Sequence, residues 1–195
     1  MIEIIKHRVN TVSLLIETPT EFGVEVDLRS QAGELIFEHD PLTPGTLARD
    51  WLPHFNHARL IVNIKEEGLE IPFMELLSKF GITNYFFLDQ SFPFLVRLVR
   101  SGNTQTALRV SDLESIETVH SIETDWIWLD SFSGDWEYLE RLATKLQNSR
   151  VKTCLVSPEL HRADFEKELL KLRSMISKIA LKIDAVCTKY PEKWA

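Results

Sequence analysis

The chain has 195 residues, of which 44% are hydrophobic and 26% are charged, and this composition predicts a single globular domain spanning 1–195. The formal net charge of -7 argues against a nucleic acid or an anionic lipid surface as a partner. No apolar run reaches bilayer length and the N-terminus lacks the apolar stretch of a signal peptide, so we expect a cytoplasmic protein without stable membrane insertion.

Eight short apolar runs have the length and composition of β-strands. In chain order they cover residues 3–8, 24–29, 60–65, 85–89, 106–111, 126–130, 153–157 and 185–188. Apolar residues three and four apart predict helices over 70–80, 92–100, 136–147 and 163–178. Strands that alternate with helices indicate crossover connections and a parallel sheet.

Local signals add detail to this outline. Gly102 is placed to end the helix before it, and Ser111 followed by Glu114 fits a capping box and predicts a helix start. The stretch 31–59 has turn residues at 40–45 and a brief helical pattern over 47–52, which predicts a shortened crossover.

Eight parallel strands are the number that closes a barrel. The predicted fold class is therefore α/β, a compact (βα)8 TIM-type barrel in which some crossovers are shortened. An open doubly wound sheet is the alternative. The sequence leaves the oligomeric state open.

Glu25 and Asp27 alternate with apolar residues along the second predicted strand. Side chains alternate faces in a strand, so the two carboxylates share one face about 7 Å apart. Buried carboxylates need a cation, because an isolated charge is costly in a low-dielectric interior. That cation is either a metal ion or a basic side chain, for which Arg29, Lys65 and Arg109 are the candidates.

Other polar residues fall at the carboxyl ends of the predicted strands, where barrel enzymes carry their active sites. The candidates are His7 and Arg8, His39 and Asp40, Asn63 and Lys65, and Arg109. Asp89 and Asp130 are expected to be strand-end structure. His54, His57, His120 and His161 show no ligand spacing and are predicted to be surface or capping residues.

The order of these motifs resembles that of the glycerophosphodiester phosphodiesterase family. The motifs are His7-Arg8, Asn10-Thr11, Gly23-Val24-Glu25-Val26-Asp27, His39-Asp40-Pro41, Asn63-Ile64-Lys65 and the closing run 184–191. The resemblance implies a phosphodiesterase barrel with a divalent metal, Mg²⁺ or Ca²⁺. It also implies that two histidines act as acid and base, and that glycerol 3-phosphate and an alcohol are the usual products, a reaction of lipid metabolism.

The resemblance assigns roles to individual residues. His7 and His39 match the catalytic pair, Glu25 and Asp27 match two metal carboxylates, and Arg8 and Lys65 match phosphate contacts. Asn63 stands where the family has a third acidic ligand, so the resemblance places it at the metal with one negative charge fewer. Arg109 carries no motif, and its position at a strand end fits a phosphate ligand or a structural cation equally.

Two further departures bear on the site. Val9 replaces the glycine that usually follows His-Arg and is expected to crowd the backbone near the metal or phosphate. Lys189 replaces an aspartate of the closing motif and is placed to add a phosphate contact. The sequence does not decide whether water or a substrate hydroxyl is the nucleophile.

The predicted function is a metal-dependent phosphodiester hydrolase for a glycerol-phosphate or related small alcohol or sugar phosphodiester. The alternative is a catalytically weakened barrel that binds a phosphorylated ligand or a protein partner without turnover, as Asn63 and Val9 suggest. Another phosphate-handling barrel enzyme, such as an isomerase, is a third reading with little use for two histidines beside a metal.

Overall fold

The structure is a computed structural model that describes residues 2–147, 149–179 and 181–194. The chain forms two compact units. The N-terminal unit is Ile5–Thr106, and the C-terminal unit joins Met1–Ile4 to Ala107–Ala195. The prediction of one domain over 1–195 stays a prediction.

Parallel strands form the centre of the N-terminal unit. The strands are β1 (Glu3–Lys6, of which Ile5 and Lys6 belong to this unit), β2 (Gly23–Gln31), β3 (Glu34–Phe37), β4 (Thr46–Leu47), β5 (Leu60–Ile64) and β6 (Tyr85–Leu88). β2 pairs in parallel with β1 on one side and β5 on the other, and β5 pairs in parallel with β6. β3 and β4 add an antiparallel extension to the outer half of β2.

The helices of this unit cover one face of the sheet. They are α1 (Val12–Glu17), α2 (Ala48–Trp51), α3 (Glu70–Lys79) and α4 (Phe92–Arg100), with a short 3₁₀ turn at Leu52–His54. Val24, Val26 and Leu28 of β2 are fully buried in one cluster with Phe73 and Leu77 of α3. The alternate residues of the same strand therefore point away from the helices.

The C-terminal unit repeats the alternation of strand and helix. Its strands are β7 (Ala107–Val110), β8 (Trp126–Leu129), β9 (Lys152–Val156) and β10 (Ala185–Thr188), all paired in parallel in that order. Its α-helices are α5 (Tyr138–Lys145) and α6 (Glu166–Ile176), and 3₁₀ turns lie at Ile116–His120, Pro158–Leu160 and Pro191–Lys193. Within the described part of the chain, no helix is both long and apolar enough to span a membrane.

All eight predicted strands are present, each within two residues of its predicted ends. Gly102 ends α4 with a φ of +93° as expected. The predicted helix start at Ser111 is wrong: Ser111 Oγ does accept the Glu114 N–H at 3.0 Å, but only a 3₁₀ turn follows. Leu113 is 75% exposed and therefore does not help to bury a helix against the sheet.

The prediction that the remaining histidines are surface or capping residues is wrong for His57. His57 is buried, and its Nε2 bonds with the Thr18 carbonyl at 2.9 Å. His161 is exposed and caps the 3₁₀ turn at Pro158–Leu160, as predicted, and its Nε2 lies 2.7 Å from a carboxylate oxygen of Asp130. The side chain of His120 lies outside the described part of the structure.

Candidate functional site

Strand β2 places two acids on the face of the sheet opposite the helices. Glu25 is 1% exposed and Asp27 is fully buried. The alternation predicted from sequence is confirmed, because Val24 and Val26 lie in the core cluster. Two buried carboxylates are thus held side by side.

Asn63 of β5 joins them from the neighbouring strand. It is the register partner of Asp27 in the parallel pair and is 8% exposed. The oxygens Glu25 Oε1, Asp27 Oδ1 and Asn63 Oδ1 are all buried, and none has a hydrogen-bond partner. Buried polar atoms are nearly always partnered, so three such oxygens on adjacent strands indicate a place for a ligand.

The other oxygen of each carboxylate is fixed by the segment that follows β1. Glu25 Oε2 accepts the Arg8 backbone N–H at 2.8 Å. Asp27 Oδ2 accepts the Asn10 side-chain amide at 2.8 Å, and the Asn10 oxygen accepts the Asp27 N–H at 2.9 Å. These contacts orient both acids and leave the other oxygen of each without a hydrogen bond.

Three basic side chains stand next to the acids. His7 Nε2 is 3.8 Å from Glu25 Oε2, and Arg8 Nε is 3.9 Å from Asp27 Oδ2. Lys65 Nζ is 3.1 Å from Asp27 Oδ1, which makes an ion pair although the contact is not aligned as a hydrogen bond. Lys65 was one of the basic residues predicted to pair with the two acids, and it does contact Asp27. Arg29, another of those residues, instead pairs with Glu66 and donates to the His39 carbonyl.

Burial raises the pKa of Glu25 from 4.5 to about 8, and the neighbouring charge of Asp27 adds to this effect. The Arg8 N–H, the charge of Lys65 and the Asn63 side chain act in the opposite direction. Without a bound cation, burial therefore favours the protonated form of Glu25. A cation that binds there must displace this proton.

His39 lies in the loop between β3 and β4. Its Nδ1 is 2.7 Å from Asp40 Oδ1, so its Nε2 is the ring atom left for other partners. The hydrogen bond from His39 is the main cause that lowers the pKa of Asp40, and the charges of His39, Arg8 and Arg29 contribute. The Glu38 N–H donates to the Asp27 carbonyl at 2.9 Å, which ties this loop to the strand that carries the acids.

The expected crowding by Val9 is wrong. Val9 is 1% exposed and its side chain lies in the apolar core, while its carbonyl accepts the Trp51 indole N–H at 3.0 Å. The left-handed backbone conformation falls one residue earlier, at Arg8, where φ is +54°. That conformation aims the Arg8 N–H at Glu25.

Arg109 and Lys189 belong to the C-terminal unit. Arg109 Nη1 donates to Asp130 Oδ2 at 2.7 Å, and its guanidinium lies 5.5 Å from the centre of the Phe132 ring. Lys189 is held by Glu159, which accepts its backbone N–H at 3.0 Å and, through its own carbonyl, the ammonium at 3.3 Å. Their roles as phosphate contacts stay predictions.

The fold of nearly the whole chain is similar to those of solved glycerophosphodiester phosphodiesterases. A glycerophosphodiester phosphodiesterase from Thermotoga maritima matches with a TM-score of 0.70 and 17% identity over 100% of this chain and 97% of that one. A glycerophosphodiester phosphodiesterase from Parabacteroides distasonis matches with a TM-score of 0.69 and 13% identity over 98% of this chain and 94% of that one. Another, from Agrobacterium tumefaciens, matches with a TM-score of 0.69 and 12% identity over 98% of each chain.

The chain has the fold of the glycerophosphodiester phosphodiesterases. This likeness confirms the predicted fold class, a TIM-type α/β barrel, and the resemblance read from the motifs. No protein-family model matches the sequence, and no curated protein matches it either.

The phosphodiesterase fold raises the question of whether these residues fit a divalent metal. Within residues 2–147, 149–179 and 181–194, no three His, Cys, Asp or Glu side chains come together as a metal-binding group. Two carboxylate oxygens and the Asn63 amide oxygen do come together, and all three are hard donors without hydrogen-bond partners. They fit Mg²⁺ or Ca²⁺, which prefer oxygen ligands and keep water in their remaining positions.

Two contributors to this site, Asn10 and Glu38, had no individual role in the sequence-based prediction, and Arg29 was predicted only as a possible ion-pair partner of the two acids. Asn10 orients Asp27, Glu38 accepts the N–H groups of His39 and Asp40 at 2.9 and 3.1 Å, and Arg29 donates to the His39 carbonyl. Asn10 was visible only as part of a motif. Arg29 carried one signal, since it shares the strand face of Glu25 and Asp27.

Proposed function

We propose that this chain is a metal-dependent phosphodiester hydrolase that acts on a glycerol-phosphate or a related small alcohol or sugar phosphodiester. The observation that carries the proposal is the set of three buried oxygens without hydrogen bonds beside an imidazole and two cationic side chains. The fold it shares with glycerophosphodiester phosphodiesterases supports the reaction class.

Glu25, Asp27 and Asn63 would hold the metal, Mg²⁺ or Ca²⁺. When bound, such an ion neutralises charge on the non-bridging phosphate oxygens. Arg8 and Lys65 serve the same need from the protein side, since each places a positive charge within 4 Å of Asp27. The diester anion would otherwise repel an incoming nucleophile.

His7 and His39 carry the proton transfers in this mechanism. One imidazole accepts the proton of the nucleophile as the new P–O bond forms, and the other gives its proton to the alkoxide as the old P–O bond breaks. Water as nucleophile yields a phosphomonoester and an alcohol. A neighbouring substrate hydroxyl yields a cyclic phosphate and the same alcohol.

The test is hydrolysis of a chromogenic phosphodiester, bis(4-nitrophenyl) phosphate, with Mg²⁺, Ca²⁺ or Mn²⁺. We expect turnover that a chelator abolishes and that His7→Gln lowers by about 100-fold or more. The matched control is His54→Gln, a histidine in the 3₁₀ turn at Leu52–His54 that has no place in the proposed mechanism. Absence of metal-dependent turnover on a panel of alkyl and aryl diesters would contradict the proposal.

One observation favours a second candidate, a barrel that binds a phosphorylated ligand without turnover. Lys65 Nζ already stands 3.1 Å from Asp27 Oδ1, and Asn63 adds no charge that would draw in a cation. Calorimetric binding of glycerol 3-phosphate that Lys65→Met abolishes, in a protein with no diesterase activity, would establish this candidate.

A further inference from the structure

Arg29 occupies an unusual place for an arginine on a strand. It shares the face of β2 that carries Glu25 and Asp27, and its side chain is only 15% exposed. Its Nε and Nη2 both donate to one acceptor, the carbonyl oxygen of His39, at 3.1 and 2.9 Å. A planar fork that closes on one carbonyl fixes that carbonyl in position as well as in distance.

The guanidinium is itself held from the other side. Arg29 Nη1 is 3.6 Å from Glu66 Oε1, and Glu66 Oε2 accepts the backbone N–H of Ser30 at 3.1 Å and its hydroxyl at 2.6 Å. The guanidinium of Arg29 is therefore held by Glu66, which follows β5 and is itself bonded to β2. Arg29 thereby connects β2 to the loop that carries His39.

The other polar group of the His39 backbone is also held. Glu38 Oε1 accepts the His39 N–H at 2.9 Å, and the Glu38 N–H donates to the Asp27 carbonyl at 2.9 Å. The His39 N–H is thus tied to β2 through Glu38, and the His39 carbonyl is tied to β2 through Arg29. A proton donor or acceptor must stay within hydrogen-bond reach of its partner, so ties that restrict the His39 backbone favour proton transfer.

We propose that Arg29 is a positioning residue, whose fork on the His39 carbonyl sets where the His39 imidazole stands. This inference rests on the proposed function, because the position of His39 matters for turnover only if His39 transfers a proton. Arg29 touches no reacting atom in this proposal. Its effect passes through His39.

The first experiment compares two diesters that differ in their leaving groups, a 4-nitrophenyl diester and an alkyl diester. We expect Arg29→Gln to lower kcat by about 10- to 100-fold on the diester that His39→Gln affects more, with a smaller change in KM. Arg29→Lys keeps the charge but loses the fork, and we expect it to resemble Arg29→Gln. Arg49→Gln is the matched control, since this exposed arginine contacts Glu34 and Asp50 instead.

A double-mutant cycle separates positioning from a general loss of structure. If Arg29 acts through His39, the variant with both Arg29→Gln and His39→Gln is no slower than His39→Gln alone. Multiplied losses, equal losses on both diesters, or full activity of Arg29→Lys would each overturn the inference.

A second measurement does not depend on turnover. The ring ¹⁵N and ¹H shifts of His39, assigned with His39→Gln, are expected to move in Arg29→Gln and to stay in place in Arg49→Gln. Unchanged shifts would overturn the inference. An unaffected rate in His39→Gln would instead remove His39 from the proposed mechanism, while the NMR comparison would still decide whether Arg29 holds the ring.

Discussion

The two units bury their carboxylates in different ways. In the C-terminal unit, Asp130 is 2% exposed and both of its oxygens are partnered, by Arg109, His161 and the Ser131 N–H. In the N-terminal unit, Glu25 and Asp27 are as deeply buried, yet each keeps one oxygen without a hydrogen bond.

Glu159 repeats the pattern of the C-terminal unit. Its carboxylate accepts the hydroxyls of Ser157 and Thr188 and the Lys189 N–H, which joins the ends of β9 and β10. A fully partnered acid stabilises the fold, because both of its oxygens recover the hydrogen bonds lost with water. An acid left partly unpartnered destabilises the fold until a ligand arrives. Burial alone therefore does not separate the two kinds of acid, whereas their hydrogen-bond partners do.

Asp27→Asn should produce the largest effect that follows from this comparison. Replacing the Asp27 carboxylate by an amide is expected to lower diesterase turnover by about 100- to 1,000-fold, because the proposed site loses a negative charge that would hold the divalent metal. Steady-state kinetics over a range of Mg²⁺ concentrations measures it. Turnover within a few-fold of the original would mean that the acids of β2 are structural after all.

The pH dependence of stability should separate Glu25 from the partnered acids. The folded chain binds the Glu25 proton with a pKa of about 8, whereas the unfolded chain releases it near 4.5. The stability that this proton contributes is complete below pH 4.5 and is lost as the pH rises through 8.

In chelator-treated protein, the free energy of unfolding should therefore fall relative to that of Glu25→Gln, by up to about 1.4 kcal/mol per pH unit between those values. Urea unfolding at pH 5, 6, 7 and 8 measures both proteins. Parallel curves would show that Glu25 does not retain its proton.

Glu159→Gln should lower the stability of the fold, in contrast to Asp27→Asn, which should lower activity. We expect the free energy of unfolding to fall by about 1–3 kcal/mol, since an amide presents two donors where the carboxylate presented acceptors. Glu140→Gln, at an exposed position in α5, is the matched control. If Glu159→Gln and Glu140→Gln unfold alike in urea, the distinction between the two kinds of buried acid fails.

Asn63→Glu should sharpen the comparison with a smaller effect. A third carboxylate beside the unpartnered oxygens is expected to lower the Mg²⁺ concentration for half-maximal activity by about 10-fold. Asn63→Gln, which lengthens the side chain without adding charge, should not. A titration in which both variants behave alike would show that charge does not limit metal binding.

The sequence predicted the eight parallel strands because each is an apolar run bounded by turn residues or helical periodicity. It did not predict the β3 hairpin. The turn between β2 and β3 needs two left-handed residues, and it uses Ala32 at a φ of +52° before Gly33 at +83°. Alanine in place of asparagine or aspartate removed the usual signal of such a turn.

The site was predictable where it follows strand alternation and motif order, as at Glu25, Asp27 and Asn63. Lys65 was foreseen as an inward counter-ion of Asp27, and the structure confirms that contact. The parts that hold His39 were not foreseen, because they involve backbone acceptors and a side chain reaching ten residues along the chain. No periodicity encodes such a contact.

The alternation along β2 also constrains how this strand can align during folding. β2 lies against β5 with Val24 opposite Leu60 and Asp27 opposite Asn63. A slip of one residue would turn the carboxylates toward Phe73 and the apolar layer, where nothing can solvate them. The two acids needed for chemistry therefore also make the misaligned strand too costly to populate, so replacing both with apolar residues would remove a safeguard on folding as well as the site.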